Sequence, residues 1–157
     1  MEAPLPECAR VGVAGRARTR GSTAHRSAFD TDLADTPPQA WAADLDQLRF
    51  RGSRVIEEFV FFHRASATLI LADLIENFEP EKLTRGMRWL AWLGGVLDPD
   101  GKAPLDMRMT FMGHKRLARE SFDRVIAWHP QRVILAHGRC YERNAEAELR
   151  RAFRWVD

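Results

Sequence analysis

The chain has 157 residues, 45% hydrophobic and 29% charged, the size and balance of a single globular domain. No run of 18 apolar residues occurs, which excludes a transmembrane helix, and the N-terminus lacks the apolar stretch of a secretory signal. The net charge of +2 is unevenly held. Residues 1–27 contain Arg10, Arg16, Arg18, Arg20 and Arg26 against Glu2 and Glu7, which leaves 19 basic and 20 acidic side chains in the remainder. Nucleic-acid binding needs a basic face on the folded body; this body is near neutral, so neither a nucleic-acid nor a membrane partner is expected. Two cysteines, Cys8 and Cys140, cannot form a disulfide framework, and without an export signal they read as reduced thiols in a cytoplasmic protein.

Residues 1–27 are aperiodic and rich in Gly, Ala and Arg, a composition that cannot bury enough apolar surface to offset chain entropy. They are expected to form a poorly ordered basic tail ahead of a folded part spanning 28–157. Asp35-Thr36-Pro37-Pro38 before Trp41 reads as a turn, and Leu45–Phe50 as a strand. Val55–His63 is β-branched and aromatic, and Arg64–Ser66 links it to the apolar run Ala67–Ala72. That spacing predicts a β-hairpin whose second strand is covered on both faces and ended by Asp73. Glu81–Leu97 predicts a helix carrying Leu83, Met87, Trp89 and Leu90, followed by a turn at Asp98–Gly101. Leu105–Met112 reads either as extended chain or as a short helix. Lys115–Trp128 predicts an amphipathic helix with Leu117, Phe122, Val125 and Ile126 inward, stopped by His129-Pro130. Val133–Ala136 predicts a short buried strand, and Asn144 a cap on a last helix, Ala145–Val156. The order predicts a mixed α/β (α+β) domain: a mixed sheet with helices packed on one face.

Two residues combine type and place. Asp73 directly follows one apolar strand, and His137 follows another and precedes Gly138. Sites in layered α/β folds gather at such strand ends, where a carboxylate and an imidazole can bind a metal or exchange a proton. Each residue alone also fits a structural role, Asp73 as a turn or cap and His137 as a satisfied structural histidine. His63 at the hairpin turn and His114 and His129 beside the long helix read as structural, capping or surface groups. Arg143, Arg150, Arg151 and Arg154 interleave with Glu142, Glu146 and Glu148, a solvated face of mixed charge.

The segment Lys115–Cys140, a helix, Trp-His-Pro, a strand and Ala-His-Gly, resembles the C-terminal end of metallo-β-lactamase-fold hydrolases. Phe59–Leu74 resembles the hairpin that supplies that fold's metal-bridging aspartate, with Ala72-Asp73 in place of Gly-Asp. Phe61-Phe62-His63-Arg64-Ala65-Ser66, Thr68-Leu69, Asp73-Leu74 and Ala136-His137-Gly138 are most similar to an uncharacterised bacterial branch of that superfamily, a domain of unknown function. The resemblance covers residues 28–157 and implies half of a four-layer αβ/βα sandwich. It also implies a metal-dependent hydrolase acting on an ester, thioester or phosphodiester, with Asp73 and His137 as ligands of zinc or iron. The chain departs from the pattern in three places. His-x-His-x-Asp-His is absent, since none of the five histidines (25, 63, 114, 129, 137) lie two apart. A third metal histidine is absent near Arg49-Phe50-Arg51-Gly52. Upstream of Phe29 nothing supplies the first half of the fold. Two ligands fall short of the three protein ligands of a catalytic zinc, unless Glu76, Cys140 or a second chain contributes. The expectation is a hydrolase-like protein with an incomplete metal site, or else a non-catalytic structural or interaction domain or a fragment. An exposed sheet face then implies a homo-oligomer or a missing N-terminal half.

Overall fold

The computed structural model describes Val11–Gly12 and residues 31–157. The predicted basic tail lies outside the described residues except for Val11–Gly12 (β1), which pairs in parallel with Thr31–Asp32 (β2). Four longer strands form the main sheet: Leu45–Phe50 (β3), Glu58–His63 (β4), Thr68–Asn77 (β5) and Arg132–Gly138 (β6). Their order is β3-β4-β5-β6, with two antiparallel pairings followed by one parallel pairing. The helices are Arg85–Gly94 (α1), Leu105–Thr110 (α2), Lys115–Ile126 (α3) and Ala145–Ala152 (α4). The domain is therefore of mixed α and β content, as expected. Among the described residues, no helix is long and apolar enough to cross a membrane.

Alternation along the strands decides where the core lies. Leu48 and Phe50 of β3 share a face with Val60 and Phe62 of β4, Leu69 and Leu71 of β5, and Val133 and Leu135 of β6. All eight are buried in one cluster with Ala118, Phe122, Val125 and Ile126 of α3 and Ala145, Leu149 and Ala152 of α4. Phe153 lies at the centre of this layer, its ring 5.4 Å from Phe50 and 4.8 Å from Phe122. Trp128 stacks on Phe62 at 5.5 Å. The outer face of α3 is held by Arg116–Glu120 and Arg119–Asp123 pairs at i,i+4. On the opposite sheet face, Gln47 is buried beneath the segment before β3, taking a hydrogen bond from Trp41 Nε1 at 3.2 Å and donating to the Ala34 and Thr36 carbonyls.

Several elements differ from their sequence patterns, each for a local reason. β4 begins at Glu58, not Val55, because Ser53 Oγ accepts from the Val55 and Ile56 amides and turns the chain before the strand. β5 does not end at Asp73 but runs on to Asn77. The predicted helix 81–97 splits into a 3₁₀ turn, Pro80–Lys82, and α1, whose start is set by Thr84 Oγ1 accepting from the Met87 amide. α1 buries none of its residues: Met87, Trp89, Leu90, Trp92 and Leu93 are 50–65% exposed. Leu105–Thr110 is a helix, which resolves the open alternative there. β6 is an edge strand rather than a buried one, with Ile134 half exposed. α4 stops at Ala152, and Asn144 precedes it in a left-handed conformation without a side-chain cap.

Candidate functional site

The parallel pair β5–β6 is irregular in one place. Leu71 pairs with Leu135 and Glu76 with His137, so four residues of β5 stand opposite one of β6. This is a large β-bulge, a device that re-aims side chains. Asp73 sits in it. Its Oδ1 lies 3.0 Å from His137 Nε2, and both side chains are about half exposed. The structure thus brings together the two residues singled out in the sequence, with Asp73 inside its strand rather than at its end.

The bulge is held by a residue the sequence reading passed over. Paired residues of β4 and β5 run only from His63↔Thr68 to Phe61↔Ile70. Beyond them, the Glu58 carboxylate accepts from the Ala72 amide at 2.9 Å and the Asp73 amide at 3.1 Å. A side chain has replaced the backbone ladder where β5 leaves β4. Glu58 is buried, and burial pushes its pKa up to about 7, with the Asp73 charge adding to the rise and the backbone amides opposing it. A signal for it existed: Glu58 is in step with Val60 and Phe62, so period two alone puts it on the core face.

On the other side of the bulge, Glu76 is beside His137 in the ladder. Its pKa is raised, by burial first and by the Asp73 and Asp106 charges, while His137 opposes the rise. The Phe78 ring lies 6.3 Å from the His137 ring. Beneath them, the buried Asn77 amide group donates to Asp98 Oδ1 at 3.0 Å and to the Arg139 carbonyl at 2.9 Å. Arg139 in turn reaches Glu79 and Asp98. Here β6 runs against β5 so closely that a Cβ on Gly138 would lie 2.0 Å from the Asn77 carbonyl oxygen, at a backbone φ of +93°. Only glycine fits, and it fixes the turn that carries His137.

Other sequence candidates lie elsewhere. Cys140 exchanges its sulfur contacts with the Leu135 backbone rather than with the Asp73–His137 pair. His63 Nδ1 bonds Ser66 Oγ at 2.7 Å in the hairpin turn. His114 precedes α3 and receives Arg54 Nε at 3.4 Å, and His129 faces Glu146 at 3.9 Å. Arg150 pairs with Glu146 and Arg151 with Glu148, the mixed-charge face expected.

A carboxylate only accepts hydrogen bonds, so against an ionised Asp73 the Nε2–H of His137 is the donor, and the neutral ring then has its lone pair on Nδ1. Nδ1 has no partner among the described residues. An imidazole oriented this way by a carboxylate has the geometry that general-base chemistry requires. As a metal centre the set is short: among the described residues, no group of three or more His, Cys, Asp or Glu side chains is arranged to hold an ion. Compared with known proteins, the sequence matches no family model and no curated protein.

Proposed function

We propose that this chain is a hydrolase-like protein of metallo-β-lactamase type in which the Asp73–His137 pair does the proton work on an ester-type bond. The observation that carries the reading is the 3.0 Å contact between Asp73 Oδ1 and His137 Nε2 across the bulge. Support for the family comes from the order of parts: a hairpin, an aspartate, then helix, strand and His-Gly in one mixed sheet.

In the reaction, His137 Nδ1 takes a proton from water as the water oxygen attacks the acyl carbon. Asp73 holds the ring and stabilises the imidazolium that forms, as a carboxylate does in a catalytic triad. The imidazolium then returns the proton to the leaving alkoxide, so one water yields one acid and one alcohol. Glu58 holds the bulge backbone and thereby positions Asp73.

A hydrolysis assay with neutral p-nitrophenyl esters tests this. The wild type should hydrolyse them, and both His137→Gln and Asp73→Asn should lower the rate. For His137→Gln the fall should be about 10²–10⁴-fold, the range for losing a general base. Equal rates in all three proteins would end the proposal.

The second reading is a non-catalytic structural or interaction domain, favoured by the missing third metal donor among the described residues. It predicts no hydrolysis with or without added zinc or iron. Hydrolysis that appears only with metal and is lost in Asp73→Asn would instead mark the two residues as ligands completed from elsewhere, by a second copy or another polypeptide.

A further inference from the structure

A groove of about 300 Å³ runs between the end of β5 and the inner face of α1. Its walls are Phe78, Leu83, Met87, Leu90 and Val96, and Glu76 is its one titratable lining residue. The volume is at the lower end of small-molecule sites, and an apolar wall with few polar groups is their usual character. The groove has a built frame: the Phe78 amide donates to the Val96 carbonyl at 2.8 Å, and the Asp98 amide to the Phe78 carbonyl at 2.9 Å. Along α1, Met87, Leu90, Ala91 and Gly94 recur at helical spacing and face it together.

What identifies the occupant is continuity with the Asp73–His137 pair. Two groove residues belong to both places. Glu76 lines the groove and pairs with His137 in the ladder, and Phe78 lines the groove with its ring 6.3 Å from the imidazole. We propose that this groove holds the alkyl or acyl chain of an amphiphilic substrate whose polar end lies at the Asp73–His137 pair. This rests on the hydrolytic reading above. The polar end should be neutral or cationic, because the Glu76 carboxylate in the groove and the Asp73 carboxylate beside His137 would repel an anion.

The chain-length dependence of binding follows from the hydrophobic effect. Burying one methylene is worth about 0.8 kcal/mol, so each added methylene tightens binding about fourfold until the groove is full. The probe is the n-alkanol series from butanol to octanol, read by the ¹³C methyl resonance of Met87 in the full chain. The expected result is a saturable shift whose dissociation constant falls about fourfold per methylene. Leu90→Gln, at an exposed position that leaves the core intact, should weaken octanol binding at least tenfold. Absence of a shift at Met87, or affinity independent of chain length, would overturn the proposal. So would a Met87 resonance that moves with protein concentration alone, which would make a second copy the occupant. Because alkanols carry no scissile bond, the two readings fail separately. Chain-length dependence without ester hydrolysis keeps the groove and removes the dyad's chemistry; hydrolysis blind to chain length does the reverse.

Discussion

Replacing Glu58 by Gln should remove the part of the pH dependence of stability that this buried carboxyl contributes. In the native state the Glu58 carboxyl is buried against the Ala72 and Asp73 amides, and its pKa stands at about 7 where an ordinary glutamate has 4.5. The folded state therefore holds this proton more tightly than the unfolded chain does. The stability that protonation contributes is complete below pH 4.5 and is lost as pH rises through 7. Integrating the linkage relation between pH 5 and pH 8 gives a loss of about 2.5 kcal/mol from this one group. Gln is isosteric and uncharged. Its carbonyl oxygen still accepts one amide hydrogen bond, while its NH₂ group faces the other amide, so at pH 5 the variant should be less stable than wild type by about 1–3 kcal/mol. That deficit should shrink toward zero or reverse by pH 8. The assay is urea unfolding of both proteins at four values between pH 5 and 8, with equal m-values as the check on two-state behaviour. Other titrating groups act alike in both proteins and cancel in the difference. Two stability curves that stay parallel across this range would refute the buried, proton-holding role of Glu58.

Gly138→Ala should destabilise by about 2–4 kcal/mol, since the new Cβ meets the Asn77 carbonyl at 2.0 Å with the backbone at positive φ; thermal unfolding measures it, and an unchanged midpoint would contradict the close approach. Asn77→Ala should cost about 2–3 kcal/mol by stranding the Arg139 carbonyl and one Asp98 oxygen; chemical denaturation checks it, and a loss below about 0.5 kcal/mol would show that the brace is dispensable. After dialysis, elemental analysis should find well under one zinc or iron per chain in wild type, Asp73→Ala and His137→Ala alike, because two donors hold such ions weakly. About one ion per wild-type chain, lost in both variants, would show a metal centre completed by further donors.

The sheet was legible because its strands obey simple rules. The hairpin follows from a β-branched and aromatic run, a short polar link and a second apolar run, and β3 and β6 were placed within a few residues. α3 was legible from its 3.6-residue period. Errors gathered where side chains overrule local pattern. Ser53 takes the amides of Val55 and Ile56 and delays β4. Thr84 resets the start of α1, and no apolar periodicity could tell that this helix would bury nothing. β6 reads as buried because an apolar run does not say whether a strand has one neighbour or two. Asp73 and His137 were found from their places after apolar runs, but no local window reports the register shift that sets Glu76 rather than Asp73 opposite His137.

That register shift ties the site to its cost. A regular β5 would place Ala72 and Asp73 in the backbone ladder with β4, and the pairing Leu71↔Leu135 continued without a shift would set Asp73 opposite His137. In the observed register Glu76 takes that place, and the four bulged residues keep Asp73 within 3.0 Å of the imidazole as well. The same excursion strips the Ala72 and Asp73 amides of their strand partners. An amide left without an acceptor costs up to about 1–3 kcal/mol where no water replaces it. Glu58 fills the gap because its two carboxylate oxygens each accept from one of the two amides. Burial of the carboxylate is the consequence, and it places a group that titrates near neutrality one residue's backbone away from the Asp73–His137 pair. The bulge and the buried glutamate are therefore one device, so a substitution that regularises β5 should set Asp73 in place of Glu76 opposite His137, return the Ala72 and Asp73 amides to the ladder and return Glu58 to ordinary titration together.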